Sequence, residues 1–169
     1  QRQMCIRDRG EIALYADEGT QPTEGSGLEG NPYLIGTLEE LKWFRTQVNS
    51  GNNDICAKLT ADITLSEWEP IGTQGSPYKG TFDGSGCTIS GASVPDSTTQ
   101  DWGLFGYIGS GGTVKWIVAS IEGLSINCAQ SGVIAAHNAG IIECCSVDIY
   151  GLAGSLSTVS YTHLRAHET

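Results

Sequence analysis

An all-β solenoid, built of short strands stacked coil upon coil and closed at one end by a single helix, is the fold class this sequence predicts. Three observations point there. A stretch near the C-terminal end occurs twice, the residues before it alternate apolar and polar between close-set glycines, and one segment alone carries a helical period.

The repeat is the strongest of the three. Gly112-Thr-Val-Lys-Trp-Ile-Val-Ala-Ser-Ile-Glu-Gly-Leu124 aligns without gaps on Gly140-Ile-Ile-Glu-Cys-Cys-Ser-Val-Asp-Ile-Tyr-Gly-Leu152, an offset of 28 residues. Val114 matches Ile142, Ala119 matches Val147 and Ile121 matches Ile149. Repeats of roughly 20 to 50 residues mark units that stack because none buries its apolar face alone. Positions corresponding between the copies, with alternation inside each strand, put Val114, Trp116, Ala119 and Ile121 inward and Lys115, Ser120 and Glu122 outward. In the second copy Ile142, Cys144, Val147 and Ile149 face in, while Glu143, Asp148 and Tyr150 face out.

The two ends stand apart from this pattern. Residues 1–9 (QRQMCIRDR) and 159–169 (VSYTHLRAHET) resemble translated adapter read-through at the ends of a metagenomic reading frame, and such segments are kept out of fold reasoning. Setting them aside leaves Lys42, Arg45, Lys58, Lys79 and Lys115 as the bases and removes two acids, Asp8 and Glu168, so the net charge moves from −10 to −12. Such a surface repels phosphate backbones and anionic membranes, which excludes nucleic acid as a partner. No apolar run approaches the roughly 18 residues of a membrane span, so no insertion is expected. Five cysteines remain, Cys56, Cys87, Cys128, Cys144 and Cys145, without a C-x-x-C pair. That spacing points to small apolar residues rather than to zinc or a disulfide framework.

Taken in order, residues 10–30 read as a polar, acidic, mobile leader. Residues 31–56 read as an N-terminal cap. Thr37-Leu-Glu-Glu40 has the form of a capping box, Leu38, Leu41, Phe44, Arg45 and Val48 recur at spacings of three and four, and Gly51 stands where a left-handed C-terminal cap belongs. The apolar face of this helix is suited to cover the open end of a solenoid. Residues 57–158 read as the coils. Ala57, Leu59, Ala61, Ile63 and Leu65 alternate with period two, and glycines between Tyr78 and Gly91 mark tight corners.

The runs PYLIGTLEELKWFRTQVNSG, LTADITL, WEPIG, YKGTFDGSGCTISG, GLFGYIG and SGVIAAHNAGIIECCSV, in that order between Asn31 and Leu152, resemble the bacterial surface proteins that carry GLUG repeats. That resemblance implies a right-handed parallel β-helix with an N-terminal cap, in a secreted or wall-anchored protein. Ala136 departs from it, standing where a further glycine is usual, and implies a slightly looser corner with no loss of fold.

Signals for chemistry are sparse. Parallel β-helices include polysaccharide lyases and hydrolases, which need paired carboxylates, or calcium with a basic residue. Asp83 and Asp101 are the acids nearest glycine corners, and turn-forming side chains explain both. His137 lacks a Ser or Cys partner placed by sequence, no H-E-x-x-H occurs, and Gly109-x-Gly111-Gly112 lacks the lysine and helix of a phosphate loop. No catalytic residue, cofactor or metal ligand is therefore assigned. Among Trp43, Trp68, Trp102 and Trp116, Trp102 lies in a polar excursion and is the candidate sugar-binding residue, with core packing as the competing reading. The expected function is a structural or adhesive segment of a bacterial cell-surface or secreted protein, without catalysis of its own, meeting host or cell-surface glycans or proteins. The alternative is the non-catalytic part of a β-helix polysaccharide lyase or hydrolase, or of a surface metallopeptidase.

Overall fold

The computed structural model describes residues 19–66, 68–91, 102–122 and 132–150. The chain is mainly β: the described residues form eleven short strands and one helix in the order β1 (Tyr33–Ile35), α1 (Leu38–Asn49), β2 (Ala57–Leu59), β3 (Ile63–Thr64), β4 (Thr81–Asp83), β5 (Thr88–Ser90), β6 (Phe105–Ile108), β7 (Thr113–Lys115), β8 (Val118–Glu122), β9 (Ala135–Asn138), β10 (Ile141–Glu143) and β11 (Ser146–Tyr150). They form three parallel sheets ordered β1-β2-β4-β7-β10, β3-β5-β8-β11 and β6-β9. Parallel bridges from Ile71 to Phe105 and from Tyr78 to Ile108 extend the third sheet back toward the helix. Each sheet thus gains its strands in chain order.

Register keeps like residues in columns. Ala57, Phe82, Val114 and Ile142 face one another across the first sheet. Ile63, Ile89, Ala119 and Val147 do so across the second, and Phe105 meets Ala135 in the third. The sequence repeat is reproduced as pairing, with Val114 opposite Ile142, Ala119 opposite Val147 and Ile121 opposite Ile149. Among inward residues, Ala57, Leu59, Ile63, Leu65, Phe82, Ile89, Val114 and Ala119 are buried; Ala61 is exposed because it lies on the bend between β2 and β3.

Two expected inward residues point out. Trp116 is 52% exposed and Cys144 is exposed, because both take left-handed backbone (φ 56° and 53°) immediately after β7 and β10. That conformation interrupts the alternation, so the next residue turns inward: Ile117 is fully buried and Cys145 half-buried. Val147, also expected inside, is 41% exposed, since β11 has a described strand on one side only. The side chains of Ile121, Glu122, Ile149 and Tyr150 lie outside the described residues.

The centre of the core is aromatic. Phe44, Tyr78, Phe82 and Phe105 are fully buried, with neighbouring ring centroids 5.4 to 5.9 Å apart in tilted or edge-on arrangements favoured by the ring quadrupoles. Phe44 comes from the helix, Phe82 from β4, Phe105 from β6 and Tyr78 from the chain just before β4. The helix is capped as the sequence demands: the Glu40 amide donates to Thr37 Oγ1 at 3.2 Å, the Thr37 amide donates to Glu40 Oε2 at 3.1 Å, and Gly51 follows the C-terminus at φ 111°. Its last turn is tied to the connection between β3 and β4, where the Gly72 amide donates to Asn49 Oδ1 at 2.7 Å and Ser76 Oγ donates to the Val48 carbonyl at 2.6 Å.

The stretch read as a mobile leader is held in its described part. Thr20 donates to the Glu39 carbonyl, Leu34 to that of Glu24 and Cys56 to that of Gly27, and Pro22 is buried. Ala136 falls inside β9 rather than at a corner, between the pairs Phe105–Ala135 and Tyr107–His137, so the strand accepts its methyl group.

Candidate surface site

The residues singled out by sequence do not converge. Trp102 is 3% exposed, so its ring presents no face to solvent, and its indole N–H has no hydrogen-bond partner. Asp83 Oδ1 accepts from the Ser85 amide at 2.8 Å in a tight turn, while Asp101 lies outside the described residues. His137 stacks face to face on Tyr107, its partner in the β6–β9 ladder, with centroids 4.1 Å apart and planes 13° from parallel. Among the described residues no group of three or more His, Cys, Asp or Glu side chains is placed to hold a metal ion.

The cysteines divide by environment. Cys56, Cys87, Cys144 and Cys145 are free thiols, Cys56 buried and Cys144 exposed, and Cys128 lies outside the described residues. Burial raises the Cys145 thiol above its ordinary range, with Cys144 and Glu143 adding to the rise against opposing backbone hydrogen bonds. Cys87 is raised in the same direction by desolvation and by Asp62 and Asp83. Neither is an activated nucleophile, which would need a lowered value.

What the fold does assemble is a polar ladder on the outer side of the first sheet. Register brings Lys58 opposite Asp83, Asp83 opposite Lys115 and Lys115 opposite Glu143. These are the residues between the inward positions, so alternation fixes their direction. Signs alternate along the column, the arrangement that stabilises neighbouring strands. Lys115 Nζ lies 4.0 Å from Asp83 Oδ2, with both side chains about a third exposed. Directly after Lys115 comes Trp116. Its carbonyl accepts from the Gly86 amide at 2.8 Å and its amide donates to the Glu143 carbonyl at 3.2 Å, which fixes the corner while the indole stays largely in solvent.

At the other end of the same strands an open cavity of about 450 Å³ lies between the N-terminal loop at Gly27–Glu29 and the coil residues Asp54, Lys79, Thr81 and Thr113. Leu28, 67% exposed, stands at its side. Sequence reading missed Trp116 because strand alternation was carried through a corner that breaks it. The available signal was the position itself, since it recurs as Cys144 and so has no fixed requirement for a large apolar side chain.

No family model matches this sequence. Two named proteins are similar to it in sequence. One, named a putative Gly-rich membrane protein, from Evansella cellulosilytica, is 30% identical over 135 residues, covering 74% of this chain. The other, halomucin from Haloquadratum walsbyi, is 30% identical over 148 residues, covering 79% of this chain. The chain spans only 15% and 2% of the lengths of these relatives. No solved structure matches. Among the described residues no helix is long and apolar enough to cross a membrane.

Proposed function

We propose that this chain is a right-handed parallel β-helix of the GLUG-repeat type, serving as a structural or adhesive segment of a bacterial cell-surface or secreted protein and performing no catalysis of its own. The observation that carries the reading is the sheet order: three sheets gain parallel strands in turn as the chain proceeds, so apolar columns stack without a gap. A body built this way is stiff along the stacking direction and presents long outer faces, which suits display or spacing of other parts. The relatives named as a Gly-rich membrane protein and as halomucin support a surface role.

An experimental structure of the chain tests the hand and the stacking, and protease shaving of intact cells expressing the parent protein tests its location. Release of this region by shaving is the expected result; protection inside intact cells would end the surface reading. Incubation with polysaccharides, with and without calcium, is expected to produce no new reducing ends or unsaturated sugars.

A further inference from the structure

We propose that Trp116 and the charge ladder beside it form a binding platform for an uncharged polysaccharide. The proposal deepens the adhesive reading above and rests on it. A bulky residue is disfavoured in left-handed backbone, yet Trp116 sits there at φ 56°, and it also leaves half of its surface in water. Neither cost is offset by inward packing, because Ile117 fills the core position. The corner does not require an indole, since Cys144 adopts the same backbone 28 residues on with a far smaller side chain. Backbone outliers of this kind cluster where a ligand is gripped.

The chemistry of the patch selects the ligand. An indole offers a broad apolar face for the C–H side of a pyranose ring and keeps one N–H to donate. Beside it Lys58, Asp83, Lys115 and Glu143 stand one to a strand, about 4.8 Å apart across the sheet. Ammonium groups donate and carboxylates accept, and sugar hydroxyls do both, so a glycan lying across the strands meets a partner at every strand. The four charges cancel, whereas the whole chain carries −10, so uronate, sulfate and phosphate polymers are repelled. An uncharged chain is not.

Affinity electrophoresis of the full chain tests this, in native gels containing hydroxyethylcellulose, galactomannan or glucomannan, with alginate as the anionic comparison. Retardation by at least one neutral polymer and none by alginate is expected. Trp116→Gly should weaken binding on the order of tenfold or more, with an unchanged or higher Tm, because glycine suits that backbone. Lys115→Ala and Glu143→Gln, which leave the corner untouched, should each weaken binding in part. Migration of the unaltered chain unaffected by every neutral polymer overturns the platform, as does retardation of Trp116→Gly equal to that of the parent. Shaving of this region from intact cells in either case leaves the surface reading standing and removes only the platform. A Tm that collapses in Trp116→Gly while Lys115→Ala and Glu143→Gln bind normally would show the indole to be a packing residue and also overturn it.

Discussion

At Gly80, Gly112 and Gly140 a carbonyl occupies the place where a side chain would begin. A Cβ on Gly80 would lie 2.2 Å from the Ile55 oxygen, one on Gly112 2.5 Å from that of Tyr78, and one on Gly140 2.3 Å from that of Gly112. At each of the three the chain therefore packs directly on backbone laid down earlier. Gly112→Ala should lower stability by about 2 kcal/mol or more through backbone displacement, whereas Gly75→Ala, with open space around it and no left-handed φ, should stay within about 0.5 kcal/mol. Urea titration of the two variants checks the ranking. Tyr78 gives a second prediction. Burial, with Cys56 beside it, holds its phenol well above the ordinary range, and its hydroxyl donates to the Ile55 carbonyl at 3.0 Å. A raised folded value means that stability is whole below about pH 10 and falls above it, by up to about 1.4 kcal/mol per pH unit, as the unfolded chain releases a proton that the native state retains. Tyr78→Phe should cost about 1 kcal/mol at neutral pH and make the alkaline decline shallower, as thermal melts from pH 8 to pH 11 would show. Sequence alone reveals that these glycines recur. It does not reveal which carbonyl each one meets, because that depends on the register between strands.

Helix α1 was legible in full because its signals are local: a capping box, a spacing of three and four, and a terminal glycine. Thr37→Ala removes one half of the box and should cost about 1 kcal/mol. Phe44→Ala empties the position that joins the helix to Tyr78 and Phe82, and a loss of about 3 to 5 kcal/mol is expected. Differential scanning calorimetry of both would place the helix in the same cooperative unit as the sheets. If Phe44→Ala instead produced a separate early transition, the helix would be a detachable lid. Strand positions were legible where alternation ran unbroken, as at Val114, Lys115 and Ala119, and illegible at the corner itself, where one left-handed residue turns Trp116 outward and Ile117 inward. The charge ladder was hidden for a related reason. Lys58, Asp83, Lys115 and Glu143 are separated by unequal stretches of sequence and become neighbours only through register.

Across the whole molecule, pairing tolerates that inequality. Along the first sheet 24 residues separate the paired Tyr33 and Ala57, 32 separate Thr81 and Thr113, and 28 separate Thr113 and Ile141. The strands keep their columns and the corners absorb the difference. Inserting Gly-Ser-Gly-Ser after Ser110, an exposed residue between β6 and β7, should therefore cost no more than about 1 kcal/mol, since lengthening a loop adds little closure entropy. The same insertion between Val114 and Lys115 would shift the ladder and the apolar column together, and loss of the folded signal in circular dichroism is expected.

Unequal connections between equally spaced strands make each sheet a ruler graduated in strands rather than in residues. Every added strand widens its sheet by one strand separation of about 4.8 Å, however much chain its connection consumes. Selection can then enlarge or reshape the connections without altering the spacing of the apolar columns they join.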